Sequence, residues 1–269
     1  MSYLFRDQSW LQMQEHIDKK SLVILPVGTT EEHGPHLPVD TDARIAEAYG
    51  HGLAQALQPE LPVLLMDTIR YGYSMKVMRQ WPGTVIVRSR VFMDMVFDIC
   101  RSTLDMGFDK LVLLDCHGHH GGALNVVSRE LCDATDKAVA IISPATMSRD
   151  AYQKIRKTEP GGSIHACEWE TSLVLHISPE VVDMSKATDE DAMRYHSEFV
   201  AGDNFSGGQK VTWSTWYLQA SRTGIYGAPV QATAELGRVC MEAAVENGAR
   251  FLKEYWHKRD VPVVDGVYL

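Results

Sequence analysis

The chain has 269 residues, 45% of them apolar and 23% charged, which suits a globular enzyme domain and excludes a disordered or low-complexity protein. Its formal net charge of −9, with no Lys/Arg stripe to offset it, argues against nucleic acid as a partner. No apolar run approaches the roughly 18 residues that span a bilayer. The first residues lack the basic start and apolar core of a signal peptide, so the expected compartment is the cytoplasm, with no membrane partner.

Taken in chain order, Ser9 is placed to cap a first helix carrying Trp10, Met13 and Ile17 on one face. Leu22–Val27 reads as a buried strand, and Thr41 or Asp42 can cap a helix reaching about Leu57. Pro62–Met66 and Thr84–Val87 are further strand candidates. Val91–Met106 is a helix stopped by Gly107, followed by Lys110–Asp115, the most strongly patterned strand of the chain. A helix from about Gly122 to Asp133, a strand Ala138–Ile142 and a long terminal helix from Ala232 to about Trp256 complete the series. Continuous apolar strands alternating with helices predict an α/β fold, a mostly parallel sheet covered on both faces. No repeat or Pro/Gly/Ser linker divides the chain, so residues 1–269 read as a single domain.

The five cysteines are an odd number, widely spaced and without a CxxC pair, which argues against a disulfide framework or a zinc knuckle. Cys100, Cys132 and Cys240 fall in apolar helical patterns and are expected to be buried as small hydrophobes.

Three clusters carry chemistry. Glu31, Glu32, His33, His36, Asp40 and Asp42 crowd the loop after the first strand. Carboxylate oxygen and imidazole nitrogen suit Zn²⁺ or Mn²⁺, and a carboxylate can bridge two ions. One such acid would read as a solvated loop or a helix cap; the ensemble after a buried strand points to metal. The second cluster, Asp115-Cys116-His117-Gly118-His119-His120-Gly121-Gly122, ends the strongest strand. Three histidines in four residues are hard to justify by packing. The N–H groups at the next helix start could hold an anion, but the absence of a Lys-Ser/Thr after the glycines argues against a phosphate loop. In the third, His165-Ala166-Cys167-Glu168-Trp169-Glu170, a helix from about Ala166 would aim Glu170 and Glu168 in different directions, one at a metal and the other at an orienting partner. Alone, these glutamates would read as surface residues.

Together the clusters resemble the creatininase (creatinine amidohydrolase) family. The matching pieces, in order, are Leu25-Pro26-Val27-Gly28 with Glu31-x-His33-Gly34 and Asp42, Tyr71-Gly72-Tyr73-Ser74 with Pro82-Gly83-Thr84, His117-Gly118, His165-Ala166-x-Glu168-x-Glu170-Thr171-Ser172, and Gly227-x-Pro229 with Ala232-Thr233-Ala234-Glu235-x-Gly237. The resemblance implies a three-layer α/β/α sandwich and two divalent metal ions per subunit, zinc or manganese. Glu31 and His117 would hold one ion, His33 and Glu170 the other, with Asp42 bridging. It implies a homo-oligomer, often a hexamer, acting on a small molecule. His165 resembles the family's proton shuttle, and Glu168 would orient it or a metal-bound water.

Two departures stand out. Creatininases carry a glutamate two residues after the His117-type ligand; His119 stands there and joins His165 and Glu168 among the catalytic candidates. Creatininases also place tryptophans over the substrate near the positions of Ala145 and Gly161, which argues against creatinine itself. The activity implied is hydrolysis of an amide or cyclic amide C–N bond by a metal-activated water. The rival is a ring-opening C–C hydrolase of a cyclic polyol ketone such as an inosose, with Lys76, Arg79, Arg222 and Tyr226 as candidate substrate contacts. A non-catalytic scaffold would have shed some of these residues, and a nucleotide-binding protein lacks its glycine fingerprint after the first strand.

Overall fold

The computed structural model describes residues 2–190, 197–200, 202–206, 210–211, 220–258, 263–264 and 267–268. Its centre is two strands, β1 (Leu22–Val27) and β3 (Lys110–Asp115), flanked by β2 (Val63–Leu65) and β4 (Val139–Ile142). The order is β2-β1-β3-β4 and all pairs are parallel. Every residue of β1 is buried, as a strand covered on both faces requires.

Alternation along the strands divides the core in two. Leu22, Ile24, Val112 and Leu114 pack against α2 (Thr41–Leu57), α6 (Glu168–Ile177) and α7 (Ala234–His257) through residues such as Tyr49, Leu53, Leu173 and Leu252. Val23, Leu25, Val27, Leu111 and Leu113 face α3 (Ser89–Asp105) and α4 (Gly121–Thr135) through Phe92, Val96, Leu124 and Val127. The result is the α/β/α arrangement expected. A further helix, α5 (Pro144–Ile155), adds Tyr152 to the first core; its sparse apolar content gave no sequence signal. Beyond it β5 (Ser163–His165) pairs antiparallel with β6 (Tyr226–Gly227).

The parallel register sets Val27 beside Asp115, so the loops leaving β1 and β3 emerge together at the carboxyl edge, where open α/β sheets bind ligands. Gly28 makes the first turn possible. A Cβ there would lie 2.6 Å from the Ala43 Cα, so only glycine lets the start of α2 sit against the strand end.

Several expectations need correction. Thr84–Val87 joins no sheet among the described residues. Val85 and Val87 donate to the carbonyls of Thr30 and Gly72, so the segment's backbone is satisfied by loops instead of a ladder. Ser9 does cap α1 (Trp10–Asp18), in a reciprocal box with Gln12, but Trp10 is 78% exposed while Met13 and Ile17 turn to the core. Cys100 and Cys240 are buried; Cys132 is exposed, on the outer side of α4. The N-cap of α2 is Asp40, not Thr41 or Asp42, and its side chain makes no capping hydrogen bond; the Thr41 hydroxyl donates to the Pro38 carbonyl and the Asp42 carboxylate faces His33 and His117. No helix among the described residues is long and apolar enough to cross a membrane.

Candidate metal centre

The loop after β1 is folded back on itself, with the Glu31 N–H donating to the Val39 carbonyl at 2.9 Å. Glu31, Glu32, His33 and His36 are all buried, which removes the solvated-loop reading. Ionised carboxylates cost several kcal/mol each to bury without compensating charge. The compensation comes from the other clusters. Asp42, in the first turn of α2, lies with Oδ1 3.4 Å from His33 Nε2 and Oδ2 2.8 Å from His117 Nδ1. His117 Nε2 in turn lies 3.6 Å from Glu31 Oε2.

Two ligand-like triads result, each with its donor atoms within 4.8 Å of one another: Glu31, His117 and His119, and His33, His165 and Glu170. Both fit a divalent ion chemically. Glu31 Oε1 and Oε2, His33 Nε2 and His117 Nε2 are buried and make no hydrogen bond among the described residues. Such lone-pair and proton sites gathered in one spot are what divalent cations would satisfy. The five expected ligands, separated by up to 139 positions in sequence (31 to 170), are brought to one place.

Backbone carbonyls aim the imidazoles. His33 Nδ1 sits 3.0 Å from the Glu31 carbonyl, and since a carbonyl only accepts, Nδ1 carries the proton and Nε2 faces Asp42. By the same argument His165 Nε2, 2.7 Å from the Glu32 carbonyl, carries a proton, and Nδ1 faces Glu31 Oε1 at 3.6 Å. The His165 and His33 rings lie 4.3 Å apart. His165 is aimed by the turn into α6: Ala166 holds φ at +51°, a left-handed conformation rare for a residue with a Cβ. That turn puts His165 and Glu170, five residues apart, on the same pocket.

Charge follows geometry. Burial opposes a charged His33, yet Asp42, Glu170 and Glu31 hold its pKa up at about 10. Burial likewise opposes His117, and Glu31 and Asp42 raise it to about 9. Asp42 is held well below the usual carboxylate range: burial works against it, and His33 and His117 outweigh that. Burial pushes Glu31 up. His119 is driven down by burial and by the neighbouring His117 and His165, so it is a neutral donor. Its Nδ1 lies 3.3 Å from Ser74 Oγ and 3.9 Å from Glu31 Oε2.

Glu168 does not lie where an orienting partner for His165 would. Its carboxylate accepts from Tyr152 Oη at 2.9 Å, Thr158 Oγ1 at 2.8 Å and the backbone N–H of Lys157 at 3.1 Å and of Thr158 at 3.2 Å. It anchors the α5–β5 connection from the start of α6. Of the candidate substrate contacts, Lys76, Arg79 and Arg222 are exposed, and Tyr226 is buried with its ring 6.0 Å from His165. Sequence reasoning missed Glu32 as the group that orients His165, because the orienting atom is a backbone oxygen carrying no residue-type signal. It also missed Ser74, although the Tyr71–Ser74 stretch was noted, and Asn204, which borders the pocket from a loop with no periodic pattern.

His120, the third histidine of its run, serves packing. It stacks on Phe92 with ring centres 4.2 Å apart, and a Cβ on Gly72 would come 2.2 Å from its Nε2. Gly72→Ala is therefore expected to cost about 1–3 kcal/mol of stability through overpacking. Denaturant unfolding checks this, and an unchanged midpoint would mean the imidazole swings away freely.

The chain matches the creatinine amidohydrolase family over residues 6–252. It is 31% identical over 222 residues to a mycofactocin precursor peptide peptidase of Mycobacterium ulcerans, covering 80% of this chain and 78% of that one. It is 28% identical over 192 residues to a 3-dehydro-scyllo-inosose hydrolase of Thermotoga maritima, covering 70% and 60%. Among solved structures, a mutant creatininase of Zn-Zn type superposes with a TM-score of 0.79 at 22% identity, over 96% of this chain and 100% of that one, a likeness of fold. With the match running through all three clusters and the fold agreeing, the chain belongs to the creatinine amidohydrolase family of hydrolases.

Proposed function

We propose that this protein hydrolyses an amide C–N bond of a small molecule other than creatinine, using two divalent ions, zinc or manganese. Glu31 and His117 would hold one ion and His33 and Glu170 the other, with Asp42 between them. The observation that carries this reading is the buried Asp42 carboxylate set between His33 and His117. Bound there, the ions would lower the pKa of a shared water toward neutrality and polarise the scissile carbonyl. His119 adds a neutral imidazole beside Glu31 and His117, where it can serve as a further ligand or contact the reacting group.

His165 is the proton carrier. With Nε2–H fixed on the Glu32 carbonyl, Nδ1 is the atom that receives a proton in the pocket and returns it to the departing nitrogen. His165→Ala is expected to lower turnover by about 10²–10⁴ while two ions stay bound. Loss of one ion in that variant, by metal analysis, would instead make His165 a ligand. The peptidase relative at 31% identity supports C–N cleavage. The inosose hydrolase relative keeps C–C ring opening as the second reading. Incubation with formamides, cyclic amides and inososes separates the two.

A further inference from the structure

Beside the metal pocket, and sharing His117, Gly118, Glu170 and Asn204 with it, lies a second cavity of about 140 Å³. The side away from the shared residues is apolar, formed by Pro144 and Ala145 from the start of α5, Cys167 and Trp169 from the start of α6, and Phe205. Asp115 and Ser143 give it a polar corner, and Asp115 Oδ1 is already occupied by the His117 N–H at 3.3 Å.

The wall is preformed. Trp169 Nε1 donates to Ser148 Oγ at 3.2 Å, and Phe205 lies between Trp169 and Tyr152 with ring centres 5.5 and 4.5 Å away. The segment carrying Phe205 is clamped by the Arg156–Asp203 pair at 2.7 Å. It is also held by Asn204, whose N–H donates to the Ser163 carbonyl at 3.1 Å and whose side-chain amide donates to the Ile164 carbonyl at 2.8 Å. A bound group would therefore meet a fixed shape, with little ordering to oppose binding.

His165 borders the metal pocket but not this cavity. If His165 protonates the leaving group, that group departs on the His165 side and the other substituent of the carbonyl faces the cavity. Ala145, in the first turn of α5, lines the cavity with a methyl group alone, so a larger side chain at this position would fill it.

We propose that this cavity is the pocket for the acyl substituent. It would select substrates that carry a branched aliphatic or single-ring hydrocarbon group of about four to six carbons on the scissile carbonyl, since a cavity of ~150 Å³ accommodates benzene. The assignment rests on the metal-hydrolase reading above, and the test keeps the two apart.

Hydroxamates bind paired metal ions through their own oxygens and place their acyl group as a substrate would. Calorimetric titration of the zinc-loaded full chain with acetohydroxamate, isovalerohydroxamate and benzohydroxamate reads the cavity directly. Each buried CH₂ adds roughly fourfold in affinity, so isovalerohydroxamate is expected to bind at least about tenfold more tightly than acetohydroxamate. In Ala145→Phe, or in the smaller step Ala145→Leu, that ratio is expected to collapse toward one with two zinc ions still bound. Acetohydroxamate binding without any gain from the larger acyl groups overturns the pocket and leaves the metal centre standing. Failure of every hydroxamate to bind overturns the metal centre and the pocket together. A ratio that survives Ala145→Phe in a folded, zinc-replete protein places the substituent elsewhere and also overturns the proposal.

Discussion

Asp42→Asn is expected to empty both metal positions at once, whereas removal of any other ligand candidate should weaken mainly one. The prediction follows from position. The Asp42 carboxylate lies between His33 on one side and His117 on the other, so its two oxygens face one expected ligand of each ion. An amide of the same shape keeps the fold but offers one weak acceptor in place of two charged oxygens. Metal content should fall from two ions per chain to near zero after gel filtration. Turnover should fall by at least ~10⁴, because the water's pKa then returns from about 7 toward 15.7. Asp40, two residues earlier, provides the control. It is paired with Arg44 at 2.7 Å, half-buried, so Asp40→Asn should keep both ions. One ion retained in Asp42→Asn would show that the two sites do not share this carboxylate.

The second large effect is the pH dependence of metal binding. A metal takes the imidazole lone pair and so binds only the neutral ring. In the metal-free protein Asp42 and its neighbours hold His33 at about 10 and His117 at about 9, against about 6.5 for an unperturbed histidine. At pH 7 each ion must therefore displace one proton. Affinity should rise about tenfold per pH unit for each ion, continuing past pH 7 and levelling as pH passes the raised values. A site built on ordinary histidines would level near pH 6.5. Titration calorimetry in buffers of different ionisation heats measures the protons released, about one per ion. Affinity that is flat between pH 7 and 9 would refute the charge arrangement around Asp42.

The same shifts fix the sign of the metal-free protein's own pH response. A histidine whose folded pKa is raised stabilises the fold fully below its unfolded value and loses that contribution as pH rises through the folded one. For His33 and His117 the loss runs from about pH 6.5 up to about 10 and about 9 respectively. Bound metal replaces those protons and should remove this loss. Melting temperatures with and without zinc across that interval check it.

The sequence carried the fold class, because hydrophobic pattern is a local property. β1 and β3 are runs in which nearly every residue is apolar, and their boundaries matched the structure residue for residue. Helices α3 and α7 ended within about two residues of expectation, one at a glycine and one where the amphipathic pattern stops. The same local signals misled where tertiary contacts decide. Trp10 has helical spacing with Met13 and Ile17, but the neighbouring surface leaves it in solvent. Thr84–Val87 has strand composition, yet it pairs with no strand among the described residues, and the N–H groups of Val85 and Val87 bond to loops.

Metal-site chemistry was likewise written in residue types: carboxylates and imidazoles concentrated after two buried strands, and a third cluster before a helix. What residue types could not encode was direction. Glu168 and Glu170 are equally acidic and two apart, and only the left-handed turn at Ala166 and the position of Tyr152 decide that Glu170 reaches the pocket while Glu168 anchors a loop. Glu32 acts through a backbone oxygen, and Asn204 arrives from a distant segment held by Arg156 and Asp203. Pattern and composition, which depend on neighbours along the chain, determined the layers and the ligand inventory. Orientation, burial of charge and the cavity beside the metals depend on groups far apart in sequence, and the packed structure alone decided them.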